Sequence, residues 1–467
     1  MHKSADAPPT SRDADKTTDD RVFRVRRLAF ASFILVFAAT ALVLAFRAQR
    51  ADRVAIPTVF RLQSRSMEPS WFGPRFELTC PECGERVVMT IDVASSKSLT
   101  RSTEASPEMQ AFREQVRVMT CRNCGYDRAP ADSAVFREGD LVCLTPVGSS
   151  SRLLERWRVA IFRDSSGVCS LKRIVGLPGE RVAIRNGDVW IDGKLARRSL
   201  EEIRSVATEM RPTVVTRGAD RVYATYVVVS RAAKDGTERV ETTPSAISNE
   251  SPTPSFNGGA SSSVELARDF ETRFRWNADG AEGERLVALV RRPDRAWFVE
   301  YSPTKRTVSA RSTALRDGRA SSGRPFELLT PDDFADAKES TAPTPRVAWR
   351  GTLDVSLSAV DGELIVAVGE RELARLDLGD AASTATAAIS TPFAILGDAS
   401  RASSMRIFRD VHYSSLGERE WTTPPGRYFV LGDNSPASRD SRFPDVGEFS
   451  VENVIGVATT CNEDRRE

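Results

Sequence analysis

A run of 19 residues without a charged side chain, Leu28–Phe46, restricts what this chain can fold into more than any other feature of its sequence. As a helix rising about 1.5 Å per residue it would be roughly 28 Å long, close to the thickness of a bilayer core. A secretory signal peptide has a shorter apolar region, about 7–15 residues, that ends in small residues, whereas this run ends at Phe46-Arg47. A buried helix of a soluble domain is a further alternative. We predict an uncleaved transmembrane helix over 28–46, with its orientation left open because lysines and arginines are nearly equal on its two flanks.

Much of the rest of the chain has the sequence pattern of a mostly β protein. Residues 1–20 are polar and predict a disordered tail. Short apolar runs alternate with turn residues such as Asn186-Gly187-Asp188, Asp192-Gly193 and Asp361-Gly362, which is the pattern of antiparallel hairpins. We predict a core made of 47–79, 135–193 and 421–460, interrupted by a cysteine-containing insert over 80–125 and a β-rich insert over 194–420. Within the β-rich insert, a Ser/Thr/Pro/Gly-rich stretch near 238–265 is predicted to be flexible, and 264–415 is predicted to form a sandwich.

Charge and histidine content exclude several classes of function. The 66 lysines and arginines nearly balance 64 aspartates and glutamates, so the chain is not expected to bind nucleic acid through bulk charge. The sequence has two histidines, His2 in the polar tail and His412 in a strand-like run. Any Ser-His or Cys-His mechanism would have to use one of these two.

Three segments that lie far apart in the chain carry the residues able to take part in catalysis. They are Ser64–Ser70, Lys172–Glu180 and Gly432–Arg442. A serine needs a base to become a nucleophile, and with histidine so scarce a lysine is the natural candidate. Burial lowers the pKa of a lysine from its usual value of about 10.4 and favours the neutral amine. Taken singly, each segment has an ordinary interpretation: a polar turn, a strand lysine facing water, and a loop with a surface ion pair.

The combination of these segments resembles the type I signal peptidase family. The resemblance rests on four motifs in order: Ser64-x-Ser66-Met67-x-Pro69, Gly139-Asp140-Leu141-Val142, Lys172-Arg173-x-x-Gly176-x-Pro178-Gly179, and Gly432-Asp433-Asn434-x-x-x-Ser438-x-Asp440-Ser441-Arg442. It covers about a third of the chain, within 47–79, 135–193 and 421–460. Ser70 and Glu180 stand where threonine and aspartate are common in the family, and neither change removes a catalytic group.

The resemblance implies roles for the matching residues. Ser66 would be the nucleophile and Lys172 the general base, while the Ser64 hydroxyl and the Ser66 N–H would bind the oxyanion. Ser438 would orient the lysine. Asp440, Arg442 and Asp433 would support the site, Asp433 and its neighbour Asn434 in a structural way. No cofactor is expected for catalysis.

The resemblance also implies a substrate and a location. The substrates would be signal-peptide-bearing preproteins, bound in extended form at a sheet edge and cleaved beside the membrane lipid. Shallow pockets would select small side chains such as alanine one and three positions before the cut. The chain would span the cytoplasmic membrane once, with the tail inside and the catalytic part on the extracytoplasmic face.

Two Cys-x-x-Cys-Gly pairs, formed by Cys80 with Cys83 and by Cys121 with Cys124, predict a structural zinc site of the ribbon type. One or two disulfides are the alternative, which an extracytoplasmic location would allow. A closed four-thiolate site has no open position, so zinc is not expected to take part in catalysis. Cys143 and Cys169 lie in apolar runs and are predicted to be core residues.

Two other functions are compatible with these motifs and segments. One is a membrane-tethered binding protein that uses the zinc ribbon and the 194–420 insert on a peptidase-like scaffold, although intact Ser66 and Lys172 argue against it. The other is a self-cleaving serine/lysine regulator, against which the membrane helix argues. The partner of the 194–420 insert is not identified by the sequence.

Overall fold

The computed structural model describes residues 59–81, 84, 86–90, 118–119, 129–147, 154–164, 167–210, 213–217, 220–226, 228–229, 242–243, 246–247, 265–266, 268–379, 389, 391–415 and 420–461. All of them belong to a unit that spans Val59–Glu467. The predicted tail over 1–20 and the predicted transmembrane helix over 28–46 lie outside the described residues. Within the described ranges, no helix is long and apolar enough to cross a membrane.

The first part of this unit consists of short strands. In the described residues before the first helix these are β1 (Val59–Arg61), β2 (Arg75–Thr79), β3 (Arg86–Thr90), β4 (Val118–Met119), β5 (Ala129–Pro130), β6 (Val135–Arg137), β7 (Leu141–Pro146), β8 (Val159–Arg163), β9 (Cys169–Gly176), β10 (Arg181–Arg185), β11 (Asp188–Ile191) and β12 (Lys194–Leu195).

The helix α1 (Leu200–Val206) follows, begun by a capping box between Ser199 and Glu202. The next described strands are β13 (Thr208–Met210), β14 (Thr213–Arg217), β15 (Arg221–Tyr226), β16 (Val228–Val229), β17 (Thr242–Thr243), β18 (Ala246–Ile247), β19 (Glu265–Leu266), β20 (Phe270–Ala278), β21 (Leu286–Arg292), β22 (Arg295–Ser302), β23 (Thr307–Ala314), β24 (Glu339–Pro343), β25 (Gly351–Val360), β26 (Glu363–Val368), β27 (Arg371–Asp377), β28 (Phe393–Leu396) and β29 (Ala402–Arg409).

The chain ends with β30 (Glu420–Thr422), β31 (Arg427–Leu431), β32 (Phe449–Ser450) and β33 (Val454–Thr460). Single 3-10 turns occur in the described residues at Ala131–Ser133, Phe326–Leu328, Pro331–Phe334, Ala399–Arg401, Ser435–Ala437 and Val451–Asn453. The prediction of a mostly β fold is confirmed.

A seven-stranded antiparallel sheet joins the two ends of the described unit, in the order β1-β7-β33-β8-β9-β31-β32. Strand β33 lies between β7 and β8, and β31 pairs with β9, so the last forty residues complete a sheet begun by residues 59–176. One face packs around Met67, Val142 and Ile161, and the other around Phe162 and Val430. Burial of apolar side chains on both faces fixes the register of these strands.

A second sheet, in the order β12-β11-β10-β30, is built from the predicted hairpins. Arg185 pairs with Asp188 across Asn186-Gly187, and Ile191 pairs with Lys194 across Asp192-Gly193. All four turn residues have positive φ, between 50° and 91°. This is the geometry of two-residue turns whose twist matches that of the strands, which Asn-Gly and Asp-Gly adopt with little strain.

The β-rich insert contains two large antiparallel sheets, one of six strands (β13-β29-β20-β25-β26-β27) and one of seven (β14-β15-β28-β21-β22-β23-β24). Residues of both sheets, among them Phe274, Trp276 and Trp297, form one shared apolar cluster, as in a sandwich. Leu200 and Ile203 of α1 pack with Ile365 in a separate cluster. Val206 of α1 packs with Val175 of β9 and Phe429 of β31, so α1 joins the insert to the seven-stranded sheet of the core.

The segment predicted as a zinc ribbon is described in part. Strand β2 pairs with β3 and β6, and β4 pairs with β5. Of the four cysteines, Cys80 at the end of β2 is described and buried, and Cys83, Cys121 and Cys124 lie outside the described residues. The predicted flexible stretch near 238–265 also lies almost wholly outside them.

Candidate active site

The predicted nucleophile lies in a turn between β1 and β2. The Trp71 N–H donates to the Met67 carbonyl at 2.9 Å, and the Met67 side chain is buried in the core, so the turn is anchored beside Ser66. Ser66 is itself 7% exposed. Its Oγ lies 3.3 Å from the Ser64 Oγ, which places the two predicted hydroxyls side by side.

The predicted base, Lys172, lies in the middle of β9, where it pairs with Ala160 of β8. It is 4% exposed. Its pKa is lowered from 10.5 to about 8, mainly by burial; the charge of Arg442 acts in the same direction, and the negative charges of Asp440 and Asp433 oppose the shift. A substantial fraction of Lys172 is therefore a neutral amine near pH 8, as a general base requires.

The loop that follows β31 brings the third predicted segment to the other two. Leu431 pairs with Arg173, the residue after Lys172, so Gly432 begins the loop beside the base. A Cβ at Gly432 would lie 2.2 Å from the Ser438 Oγ and 2.4 Å from the Ser66 carbonyl oxygen. Glycine is required here because the nucleophile turn and the loop approach each other too closely for any side chain.

Asp440 and Arg442 form a fully buried ion pair with nitrogen–oxygen distances of 2.8 and 2.9 Å. Asp440 Oδ2 also accepts from the Gly432 N–H at 3.0 Å, and Arg442 donates to the Ser435 Oγ at 2.5 Å. The pair therefore holds the loop in shape and adjusts the pKa of Lys172 with charges of opposite sign.

Ser438 is 2% exposed, and its Oγ is among the buried polar atoms that have no hydrogen-bond partner in the described part of the chain. An unpaired buried hydroxyl is destabilising unless it serves a site. The Ser438 Oγ and the Ser66 carbonyl oxygen both lie against Gly432, so this hydroxyl lies in the same part of the structure as the Ser66 backbone.

Asp433 is held by Arg173 of β9 and by Ser70, which follows the turn of Ser66. Arg173 binds both of its oxygens at 2.7 Å. Ser70 Oγ lies 2.5 Å from its Oδ2 and 3.0 Å from the carbonyl oxygen of Ser205 in α1. The turn that carries the predicted nucleophile and the strand of the predicted base thus meet at one carboxylate, and Ser70 links α1 to them.

The structure corrects the interpretation of two cysteines. Cys143 was expected to be a simple core residue, but it forms a disulfide with Cys461, and Thr459 pairs with Cys143 across β33 and β7. Cys169 was also expected in the core and is exposed instead, because it is the first residue of β9. Neither outcome could be read from the apolar runs around these residues.

A cluster of four aspartates that the sequence did not predict, three of them buried and Asp188 half-buried, joins the core to the insert. Asp188 belongs to β11, and Asp269, Asp361 and Asp410 belong to the insert; one carboxylate oxygen from each lies within 4.8 Å of those of the others. Arg198 binds Asp361 and Asp410, and Arg292 binds Asp269 at 2.8 Å. Burial, reinforced by the nearby carboxylates, raises the pKa of Asp188 well above its usual value.

Comparison with known proteins supports assignment to the signal peptidase family. The family described as "Signal peptidase, peptidase S26" matches residues 122–235 and 394–462. These ranges contain Lys172, Ser438, Asp440 and Arg442, and they support a signal peptidase-type serine protease. No curated protein matches the chain.

Solved structures that resemble this chain include two galectins and a carbohydrate-binding module. Sheep galectin-11 is 12% identical, with 30% of this chain and 91% of that chain covered and a TM-score of 0.20. A Caenorhabditis elegans galectin is 13% identical, with 34% of this chain and 94% of that chain covered and a TM-score of 0.20. A carbohydrate-binding module of a Ruminococcus gnavus sialidase is 14% identical, with 31% of this chain and 76% of that chain covered and a TM-score of 0.18. At such TM-scores these likenesses support no conclusion about this chain.

Proposed function

We propose that this protein is a membrane-anchored serine endopeptidase that removes N-terminal signal peptides from exported preproteins, with Ser66 as nucleophile and Lys172 as general base. The observation that carries the proposal is the meeting of three distant segments around a buried lysine whose pKa is lowered to about 8. The family match supports a signal peptidase function at the level of the family.

The chemistry proceeds in two halves. Neutral Lys172 takes the proton of Ser66 as its Oγ attacks the scissile carbonyl carbon, and the carbonyl electron pair moves onto the oxygen. The C–N bond then breaks, and the protonated lysine gives its proton to the leaving amine. In the second half Lys172 takes a proton from a water molecule that attacks the acyl-enzyme. The ester C–O bond then breaks, Lys172 gives this proton to Ser66 Oγ, and the signal peptide leaves as a carboxylic acid that ionises in water.

The remaining groups stabilise charge and orientation. The Ser66 N–H and the Ser64 hydroxyl would donate to the oxyanion, where a single such donor is worth about 100- to 1,000-fold in kcat. The Ser438 hydroxyl, which is buried and unpaired in the described structure, would orient the Lys172 amine. Asp440 and Arg442 would keep the loop that carries Ser438 in place.

The location follows from the same proposal. Leu28–Phe46 would anchor the chain once in the cytoplasmic membrane, with the catalytic part on the extracytoplasmic face near the membrane lipid and the preprotein's cleavage site. The disulfide between Cys143 and Cys461 agrees with this, since such bonds persist in oxidising compartments.

A structural zinc bound by Cys80, Cys83, Cys121 and Cys124 is part of the proposal. The part of this site that the structure describes has the tight turn expected of a Cys-x-x-Cys-Gly metal-binding loop. The Gly84 N–H donates to the Cys80 carbonyl at 2.9 Å, and Gly84 has a φ of 73°. Four thiolates would close the coordination shell, so the metal would stabilise the insert and no step of hydrolysis uses it.

Cleavage of a preprotein with an Ala-x-Ala site, in detergent with lipid, tests the function. The full chain is expected to cut once after the second alanine, and Ser66→Ala and Lys172→Met are expected to lose several orders of magnitude of activity while remaining folded. Ser133→Ala and Lys194→Met, at exposed positions, are matched controls that retain activity. Cleavage by Ser66→Ala, or none by the folded wild type, would refute the proposal and favour a membrane-tethered binding protein.

A further inference from the structure

Glu68 is a buried carboxylate in the nucleophile turn that the proposed mechanism does not use. It lies two residues after Ser66 and is 2% exposed. A carboxylate removed from water requires hydrogen-bond donors. The Thr90 hydroxyl donates to its Oε1, and Asn434 Nδ2 donates to its Oε2 at 3.3 Å. Glu68 thus links the nucleophile turn to β3 and to the loop after β31.

Asn434 holds the backbone on both sides of the nucleophile. Its N–H donates to the Ser66 carbonyl at 3.0 Å, and its Nδ2 donates to the Arg65 carbonyl at 3.0 Å. The Arg65 carbonyl and the Ser66 N–H belong to one planar trans peptide group and point in opposite directions. Fixing the Arg65 oxygen therefore fixes the direction of the Ser66 N–H.

The carboxylate of Glu68 and the Arg65 carbonyl together set which end of the Asn434 amide faces the turn. An amide has an NH₂ end that donates and an oxygen that accepts. Asn434 Nδ2 lies within hydrogen-bond distance of the Arg65 carbonyl oxygen and of Glu68 Oε2, and both oxygens can accept, so the NH₂ end faces them. Without Glu68, one of the two contacts that set this orientation is lost.

We infer that Glu68 and Asn434 are positioning residues that aim the Ser66 N–H at the oxyanion of the tetrahedral intermediate. The inference rests on the proposed function and deepens it. Both residues act through the Arg65–Ser66 peptide group and do not themselves contact the substrate. Their effect is on stabilisation of the transition state and not on substrate affinity.

A pair of signal-peptide analogues separates these effects in the full-length protein. When a peptide aldehyde binds, Ser66 Oγ bonds to its carbonyl carbon, the Ser66 proton passes to Lys172, and the carbonyl oxygen becomes an oxyanion at the Ser66 N–H. The matching peptide alcohol binds without forming this adduct. Glu68→Ala and Asn434→Ala are expected to weaken aldehyde binding and lower kcat by about 10- to 100-fold, less than the loss of a whole oxyanion donor. KM and alcohol affinity should change less than about twofold, because these report uniform binding.

Two further variants keep the test decisive if an alanine variant does not fold. Glu68→Gln can still accept from Asn434 and donate to the Thr90 hydroxyl, so it should restore most of the aldehyde affinity. Asn434→Asp is nearly the same size but cannot donate to the Arg65 carbonyl, so it should lose aldehyde affinity. Glu363→Ala, which removes a buried paired glutamate in the insert, should leave both affinities unchanged.

The outcomes distinguish this inference from the proposed function. If the wild type cleaves the preprotein and Ser66→Ala does not, the function stands. Under that condition, the inference is overturned if Glu68→Ala and Asn434→Asp bind the aldehyde as tightly as the wild type does. Equal losses of aldehyde and alcohol affinity overturn it as well, since they indicate a general structural role. Absence of cleavage by the folded wild type overturns the function itself.

Discussion

Arg173 and Asp433, 260 residues apart in sequence, form a buried two-point ion pair in which both nitrogen–oxygen distances are 2.7 Å. Arg173 follows the proposed base and Asp433 lies in the loop that carries Ser438. The pair therefore joins the two segments on which the proposed chemistry depends. Its side chains are almost fully withdrawn from water, so neither charge can be solvated if its partner is removed.

We expect Asp433→Ala to lower the free energy of unfolding by about 3–5 kcal/mol, because it leaves Arg173 buried without an anion. Asp445→Ala is the matched control, since Asp445 pairs with Arg439 through side chains that are about two thirds exposed. Its loss should stay below about 1 kcal/mol. Urea unfolding of both variants measures the difference. Equal losses would show that the buried pair contributes no more than a surface pair.

The pH dependence of cleavage should follow the proton of Lys172. The lysine acts as a base only when neutral, so kcat/KM should rise by about tenfold for each pH unit below its pKa and level off above it. With that pKa lowered to about 8, the plateau should begin near pH 8.

Asp440→Asn should move this profile to lower pH. The Asp440 carboxylate stabilises the lysine ammonium and raises its pKa, so removing the charge favours the neutral amine. Profiles of kcat/KM between pH 6 and 10 check the direction. A shift to higher pH, or none, would contradict the assignment of Lys172 as the group that titrates.

The aspartate cluster should make stability decrease as pH rises. The pKa of Asp188 is raised in the folded state by burial and by the carboxylates of Asp269 and Asp361, against the opposing charge of Arg292. A group whose pKa is raised on folding stabilises the protein at low pH, and this contribution is lost as the pH rises through the folded pKa. Burial likewise raises the pKa of Asp410 to about 6.

Asp188→Asn cannot ionise, so it should raise Tm more at pH 8 than at pH 5. Asp192→Asn, at an exposed position in the same sheet, is the control and should change Tm little at either pH. Thermal unfolding at the two pH values measures both variants. A stabilisation by Asp188→Asn that is equal at pH 5 and pH 8 would show that Asp188 does not titrate in this range.

The disulfide between Cys143 and Cys461 should stabilise the sheet that carries Lys172. Cys461→Ser is expected to lower the free energy of unfolding by about 2–4 kcal/mol, since the bond closes a long loop in the unfolded chain. A reductant should destabilise the wild type and leave the unfolding of Cys461→Ser unchanged. Cys169→Ser, at an exposed cysteine, should behave as the wild type does.

Local features of the fold were predictable because they depend on neighbouring residues. Alternating apolar runs predicted β-structure, and the Asn-Gly and Asp-Gly pairs predicted the tight turns after β10 and β11. Scarcity of histidine and the family-like motifs selected Ser66 and Lys172 as candidates. The structure brings their segments together through Asn434 and Gly432.

The sequence by itself determined which chemical groups the protein carries, where its turns fall and which face of each strand is apolar. Tertiary structure alone decided the contacts between distant residues: Arg173 with Asp433, Glu68 with Asn434, and Cys143 with Cys461, separated by 260, 366 and 318 residues. The physical reason is that the alternation of apolar residues in a strand predicts that it will join a sheet and which of its faces will be buried. It does not predict which strand it will pair with. Partners are chosen by the packing of the whole sheet, and the burial that lowers the pKa of Lys172 arises only when β9 lies between β8 and β31.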